Sequence, residues 1–180
     1  MPLQSATGSQ LGDGSVIVLQ TERLVLREVA EADAAFVLDL LNSAGFIENI
    51  GDRGVRTLDE ARGYIRERVI GSYEAHGFGM WLVEDKARPL GLAGLVKREG
   101  LDEPDVGYAF IADAWGRGYA QEAAAAVMAH ARAALGIGKL AAITSPENYA
   151  SMAVLRKIGF TFHSMITLPG ADRESTYFTA

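Results

Sequence analysis

Residues 114–127 read AWGRGYAQEAAAAV. Two glycines flank an arginine, and a run of strong helix formers follows at once. This stretch constrains the chain more than any other. A helix so rich in alanine can pack closely on a sheet, and the glycines set a turn directly against its N-terminus. About four backbone N–H groups there lack helical partners, and the helix end carries roughly half a positive charge. Glycine lets a ligand approach that backbone with no Cβ in the way. Successive N–H groups from Trp115 to Ala120 can therefore cradle a pyrophosphate, with Arg117 adding a full charge. The plain alternative is a tight turn in which Gly116 and Gly118 only supply a positive φ.

Two familiar phosphate-binding patterns fail on residues. GxxxxGK[ST] is absent from the chain. GxGxxG needs a third glycine where Gln121 stands, and no acidic residue follows about 20 positions on at a strand end.

The segments around the helix define the fold class. RLVLREV, from Arg23 to Val29, alternates as a strand does. Asp33 is placed to cap a helix carrying Phe36, Val37, Leu40 and Leu41 at helical spacing. TLDE, from Thr57 to Glu60, has capping-box spacing and opens a second helix through about Glu74. Between these helices, residues 42–57 read as a long polar loop. Three strands follow, Gly77–Asp85, Pro89–Glu99 and Asp105–Ile111, separated by short turns as in an antiparallel meander. The long helix runs from about Gly118 to Leu135, and Gly136 can end it. Lys139–Ser145 reads as a strand, Asn148–Gly159 as a short helix, and FTFHSMITL and STYFTA as final strands. The expectation is an α+β protein with one mixed, mostly antiparallel twisted sheet and about four flanking helices. Residues 1–18 read as a flexible arm, although VIVL (Val16–Leu19) interrupts their polar composition, and residues 19–180 as one domain.

Composition narrows function. A formal charge of -6 argues against broad nucleic-acid binding, which depends on neutralising phosphates with Lys and Arg. The chain has no cysteine, which excludes disulfides, thiolate metal sites and a cysteine acyl-enzyme. His76, His130 and His163 lie far apart, without metal-ligand spacing, so no metal is expected. No apolar run approaches the ~18 residues needed to span a membrane, and the N-terminus lacks a basic region followed by an apolar one. These features predict a cytoplasmic protein.

A second motif lies downstream of the long helix. Asn148, Ser151, Lys157, Gly159 and Phe160 stand at N-x-x-S and K-x-G-F spacings. With DVGYAFIADAWGRGYAQEA before it, this arrangement resembles the GNAT acetyltransferase superfamily, and most closely its branch of Rim-type ribosomal-protein N-terminal acetyltransferases. The family's acyl-CoA motif is Q/R-x-x-G-x-G/A. Here Trp115 replaces the leading Q/R, and Gly118 and Ala120 fit the final positions. The resemblance covers about residues 19–178.

That resemblance implies a sheet splayed between two parallel strands, with acetyl-CoA as cosubstrate in the gap. Gly116, Arg117, Gly118, Tyr119 and Ala120 would hold its pyrophosphate, and Asn148 its pantetheine arm. It implies direct acetyl transfer to a primary amine in a ternary complex, the acceptor being a protein N-terminus or a small molecule. An α-amino group has a pKa of about 8 and lysine about 10.4, so a base must take a proton. Asp105, just before the GY strand core, is the expected base, with Glu103 and Glu99 as rivals. A backbone N–H among Phe110, Ile111 and Ala112 would stabilise the oxyanion. Ser151, or else Tyr149, would serve as general acid. Glu122 reads as a carboxylate favoured by the helix dipole. Arg156 and Lys157 read as a solvated helix face or as neighbours of the CoA 3′-phosphate. The first two helices would wall the acceptor site, and the acidic balance suits a cationic acceptor. A monomer or homodimer is expected, without nucleic-acid or membrane partners. A non-catalytic acyl-CoA-binding sensor is the alternative function.

Overall fold

A computed structural model describes residues 15–86 and 88–180. Most of the arm expected at 1–18 lies outside these residues. Its VIVL segment does not: β1 (Ile17–Gln20) pairs antiparallel with β2 (Val25–Arg27). The helical wall follows as α1 (Ala34–Leu41), α2 (Ala44–Asn49), α3 (Leu58–Tyr64), a π-helical segment (Ile65–Ile70) and α4 (Gly71–His76). The meander is β3 (Met80–Glu84), β4 (Pro89–Val96) and β5 (Asp105–Phe110). Then come α5 (Tyr119–Ala133), β6 (Ala141–Thr144), α6 (Tyr149–Lys157), β7 (Thr161–Ile166) and β8 (Ser175–Thr179). All eight strands form one sheet in the order β1-β2-β3-β4-β5-β6-β8-β7.

Each sheet face has its own core. Ala123, Ala124, Val127 and Ala131 of α5 are fully buried with Trp81, Leu95 and Val106 of the meander. Alanine contributes little apolar area by itself, but it lets the helix axis come close to the strands. The other face buries Val37 and Leu40 of α1, Ala61 of α3 and Ile65 of the π-helical segment against Leu82 and Leu92.

Three local expectations differ from the structure. Asp33 is the N-cap residue of α1, yet its side chain does not cap the helix. Its carboxylate instead receives both terminal nitrogens of the buried Arg27, at 2.8 and 2.9 Å. A bidentate charge-assisted pair outcompetes a single cap hydrogen bond. The polar loop at 42–57 contains α2, which Ser43 caps by accepting from the Phe46 N–H. That short helix buries only Phe46, too little for periodicity to announce. The helix opened by the Thr57–Glu60 capping box continues to His76 but changes to π-helical winding over Ile65–Ile70.

Among the described residues, the one parallel junction of the sheet is the one that shapes the site. β4 and β5 pair along six residues, from Gly91↔Phe110 to Val96↔Asp105. β5 and β6 share a single registered pair, Asp105↔Ala141, and then part.

Candidate active site

Residues of β5 and β6, on both sides of the opening between them, line a cavity of about 1070 Å³. Its walls come from β5, the α5 N-terminus, β6, α6, and the α2–α4 helical wall.

Asp105 sits where the strands part. Its side chain is 1 % exposed and pairs with Arg98. One oxygen accepts from the Ile143 N–H at 3.1 Å. A continued ladder would have given that amide to a β5 carbonyl, so the carboxylate closes the end of the ladder. Burial pushes the Asp105 carboxyl above its ordinary range, opposed by Arg98 and by the Ile143 hydrogen bond. The expected base thus lines the cavity with both oxygens already engaged.

The glycine turn lies beyond the end of β5. Gly116 and Gly118 have φ of +71° and +79°, and Gly118 is the N-cap residue of α5. The first helical hydrogen bond runs from the Glu122 N–H to the Gly118 carbonyl. The N–H groups of Tyr119, Ala120 and Gln121 therefore have no helical acceptor, and all three residues line the cavity. Gly116 and Gly118 line it too, while Arg117 does not.

The Arg117 carbonyl accepts from Arg23 Nη1 at 2.9 Å. Arg23 also pairs with Glu122 at 2.6 Å and lies over the Tyr119 ring, 4.6 Å from its centroid. Thr21 and the Arg23 N–H donate to the same carboxylate. Burial pushes the Glu122 carboxyl up, and these hydrogen bonds outweigh it, leaving the group below its ordinary range. Glu122 therefore does more than complement the helix dipole: it ties the β1–β2 turn to the cradle. Nothing in the local sequence around Glu122 signals a partner about a hundred positions away.

Trp115 is 57 % exposed, but its indole is held at both ends. Its N–H donates to the Phe110 carbonyl at 2.9 Å. Its six-membered ring covers Gly45 of α2 so closely that a Cβ there would lie 2.6 Å from it. The residue at the motif's leading position thus joins the cofactor turn to the helical wall.

Of the three amides expected to stabilise an oxyanion, one suits the role. The Ile111 N–H is taken by the Leu90 carbonyl at 2.9 Å. Ala112 starts a short 3₁₀ turn and does not line the cavity. Ladder alternation sends the Phe110 N–H to the opposite side from that of Ile111, toward the gap.

Across the gap, Ser151 lies in the first turn of α6. Its N–H donates to Asn148 Oδ1 at 3.0 Å, making Asn148 the helix cap. Its hydroxyl is 2.8 Å from the hydroxyl of Tyr108 on β5. Burial pushes the Tyr108 phenol up to about 12, against the lowering effect of the Ser151 hydrogen bond. Tyr149 is 74 % exposed and is not part of the cavity wall. Tyr108 is a site residue that the local sequence pattern does not announce, although GY is the core of its strand. Lys157 reaches the cavity, whereas Arg156 lies over Phe178.

The remaining ionisable lining is Lys97, just after β4, and Arg53, Glu67, Arg68 and His76 on the helical side. Among the described residues no group of three or more His, Cys, Asp or Glu side chains could hold a metal ion. No helix among them is long and apolar enough to cross a membrane.

Comparison with known proteins places this geometry. A family model described as Acetyltransferase (GNAT) domain matches residues 23–161. A Bacillus subtilis protein, YkkB, itself uncharacterized, is 31% identical over 152 residues, which are 82% of this chain and 87% of YkkB. The crystal structure of an acetyltransferase from Agrobacterium tumefaciens superposes with a TM-score of 0.76 at 27% identity, covering 90% of this chain and 92% of that one. RimL, a ribosomal L7/L12 alpha-N-protein acetyltransferase, superposes in its apo crystal with a TM-score of 0.81 at 19% identity, over 96% and 98% of the two chains. Its coenzyme A complex gives 0.79 at 20% identity, over 91% and 97%.

Proposed function

Since the chain belongs to the GNAT acetyltransferase family, we propose that it moves an acetyl group from acetyl-CoA directly to a primary amine, both bound at once. One observation carries this reading. A single cavity joins an anion cradle, a parted pair of strands and a separate helical wall, so two substrates can meet inside it.

The residues fit the cosubstrate. Three amides without a helical acceptor and two positive-φ glycines at the α5 N-terminus suit a pyrophosphate. Arg23 supports that turn from behind. The parted strands leave β5 backbone groups facing the gap to receive an extended pantetheine arm. Acetyl-CoA supplies the thioester; the chain orients it and moves protons. The Phe110 N–H donates to the carbonyl oxygen that gains charge as the amine attacks. Tyr108, kept protonated by burial and aligned by Ser151, donates to the departing sulfur. The chain has no cysteine to form a thioester of its own, which supports direct transfer.

Asp105 is better used as an anchor than as the base. Removal of a proton from the amine falls to the helical wall, where Glu67 and His76 line the cavity without an ion-pair partner among the described residues. The opposing wall supplies orientation, which in well-aligned reactions contributes several kcal/mol, of order 7–11 at the upper end.

Release of free CoA thiol is measured with acetyl-CoA and a panel of amines and peptides. Turnover with at least one primary amine is expected. Tight acetyl-CoA binding without turnover across the panel would replace this reading with that of a sensor.

A further inference from the structure

The charge lining the helical wall opposes the charge of the chain. The protein carries -6 overall, which favours a cationic acceptor at long range. Local groups tell otherwise. Three arginines lie in the stretch from α3 through the π-helical segment. Arg62 pairs with Asp59 and Arg66 with Glu31. Arg68, which lines the cavity, makes no ion pair or hydrogen bond among the described residues. Arg53 lies on the loop after α2, with its guanidinium 5.9 Å from the centroid of the Phe46 ring. Its neighbour Asp52 pairs with Arg56 instead, and Arg53 makes no ion pair among the described residues. Phe46 and Val69 belong to one buried cluster, which brings the Arg53 loop and the Arg68 segment to the same side of the cavity. Among the described residues, Glu67 is the only acidic one lining the cavity on this side.

Two guanidiniums without an ion-pair partner among the described residues thus line the cavity beside the apolar Phe46 and Val69. A guanidinium presents a planar fork of donors that matches a carboxylate or a phosphate. Resting on the acetyltransferase reading above, we infer that the acceptor is an amine that also bears a carboxylate or phosphate, held by Arg53 and Arg68. The anion anchors the far end of the acceptor at the helical wall. The amine then extends toward Phe110 and Tyr108, where the thioester is attacked. Glu67, which lines the same cavity, attracts the ammonium end.

The inference is tested with matched acceptors that differ only in the anion: glycine against glycinamide, and O-phosphoethanolamine against ethanolamine. At low salt, kcat/KM is expected to favour the anionic member of at least one pair by roughly tenfold or more, as charge-assisted hydrogen bonds would give. The pair showing the preference separates a carboxylate from a phosphate. Arg53→Gln with Arg68→Gln should abolish the preference, leaving acetyl-CoA affinity and thermal melting unchanged. Equal use of both members of each pair, or a preference for spermidine, would overturn the inference with the transferase reading intact. If no amine turns over, that reading fails separately. Calorimetry of CoA-loaded protein with N-acetylglycine and N-acetylglycinamide then still decides the anion site. Tighter binding of the carboxylate, lost in the double variant, upholds it, and equal binding sinks it.

Discussion

The Tyr108 hydroxyl lies 2.8 Å from the Ser151 hydroxyl, linking β5 to α6 across the gap left where β5 and β6 part. The Ser151 carbonyl stands 3.2 Å from the same phenol. Ser151 is itself fixed, because its N–H is held by the Asn148 cap. A donor aligned from both sides of an opening costs little reorganisation when charge develops there.

Tyr108→Phe removes the hydroxyl and keeps the ring. A fall in kcat of about 10²- to 10⁴-fold is expected, with the KM for acetyl-CoA nearly unchanged. Because burial holds the phenol near 12, no basic limb from Tyr108 should appear in the pH–rate profile between pH 6 and 10. Ser151→Ala should have a smaller effect, since Ser151 aligns the donor. Steady-state kinetics of both variants checks this; an unchanged kcat in Tyr108→Phe would end the assignment.

Asp105→Asn separates an anchor from a base. The amide can still accept from Ile143, but Arg98 loses its carboxylate. As an anchor, Asp105 should contribute about 1–3 kcal/mol of stability, because a partly buried guanidinium is left unpaired. The variant should therefore melt earlier, while the acidic limb of its pH–rate profile stays in place. A normal melting temperature with that limb abolished would restore Asp105 as the base.

The sequence revealed the parts of this site that are local. The glycine turn, the following helix, the N-x-x-S motif at Asn148 and the Thr57–Glu60 capping box each lie within a few residues, where spacing carries the physics. The α+β class and single mixed sheet followed from the order of strand and helix patterns. What stayed hidden depends on distant pairing. Tyr108 meets Ser151 from 43 positions away, and Arg23 meets Glu122 from 99. The engagement of Asp105 by Arg98 and Ile143 appears only once β5 and β6 are side by side. The short α2 was hidden for another reason: six residues hold too little periodicity to separate a helix from a polar loop.

Gly118→Asp tests the cradle. The position has φ +79°, and a Cβ there would lie 3.4 Å from Arg23 Nη2. Left-handed backbone costs an ordinary L-residue about 1–2 kcal/mol, so Gly118→Ala provides the control for strain alone. Both variants should melt a few degrees early. Only Gly118→Asp should also lose measurable acetyl-CoA binding, because its carboxylate would face the pyrophosphate at the helix N-terminus. Equal affinities for the two variants in calorimetry would move the pyrophosphate elsewhere.

The Arg23–Glu122 pair predicts a pH dependence with a definite sign. The Glu122 carboxyl titrates below its ordinary range in the folded chain, because the bonds from Thr21 and Arg23 outweigh its burial. A depressed carboxyl stabilises the fold above the unfolded pKa and loses that contribution as pH falls through the folded one. The gain is therefore complete at neutral pH and declines below about pH 4.5. The Arg23 side chain is 44 % exposed, so screening limits the ion pair to at most about 1 kcal/mol. Glu122→Gln should thus lower the melting temperature by roughly 2–4 °C at pH 7. The difference from the parent protein should shrink toward pH 3. Because Arg23 also holds the Arg117 carbonyl, Arg23→Ala should weaken acetyl-CoA binding severalfold while its melting shift stays as small as that of Glu122→Gln. Melting curves from pH 3 to 8 and acetyl-CoA calorimetry check both effects. A melting difference that grew as the pH fell would show that the Glu122 carboxyl is not held below its ordinary range.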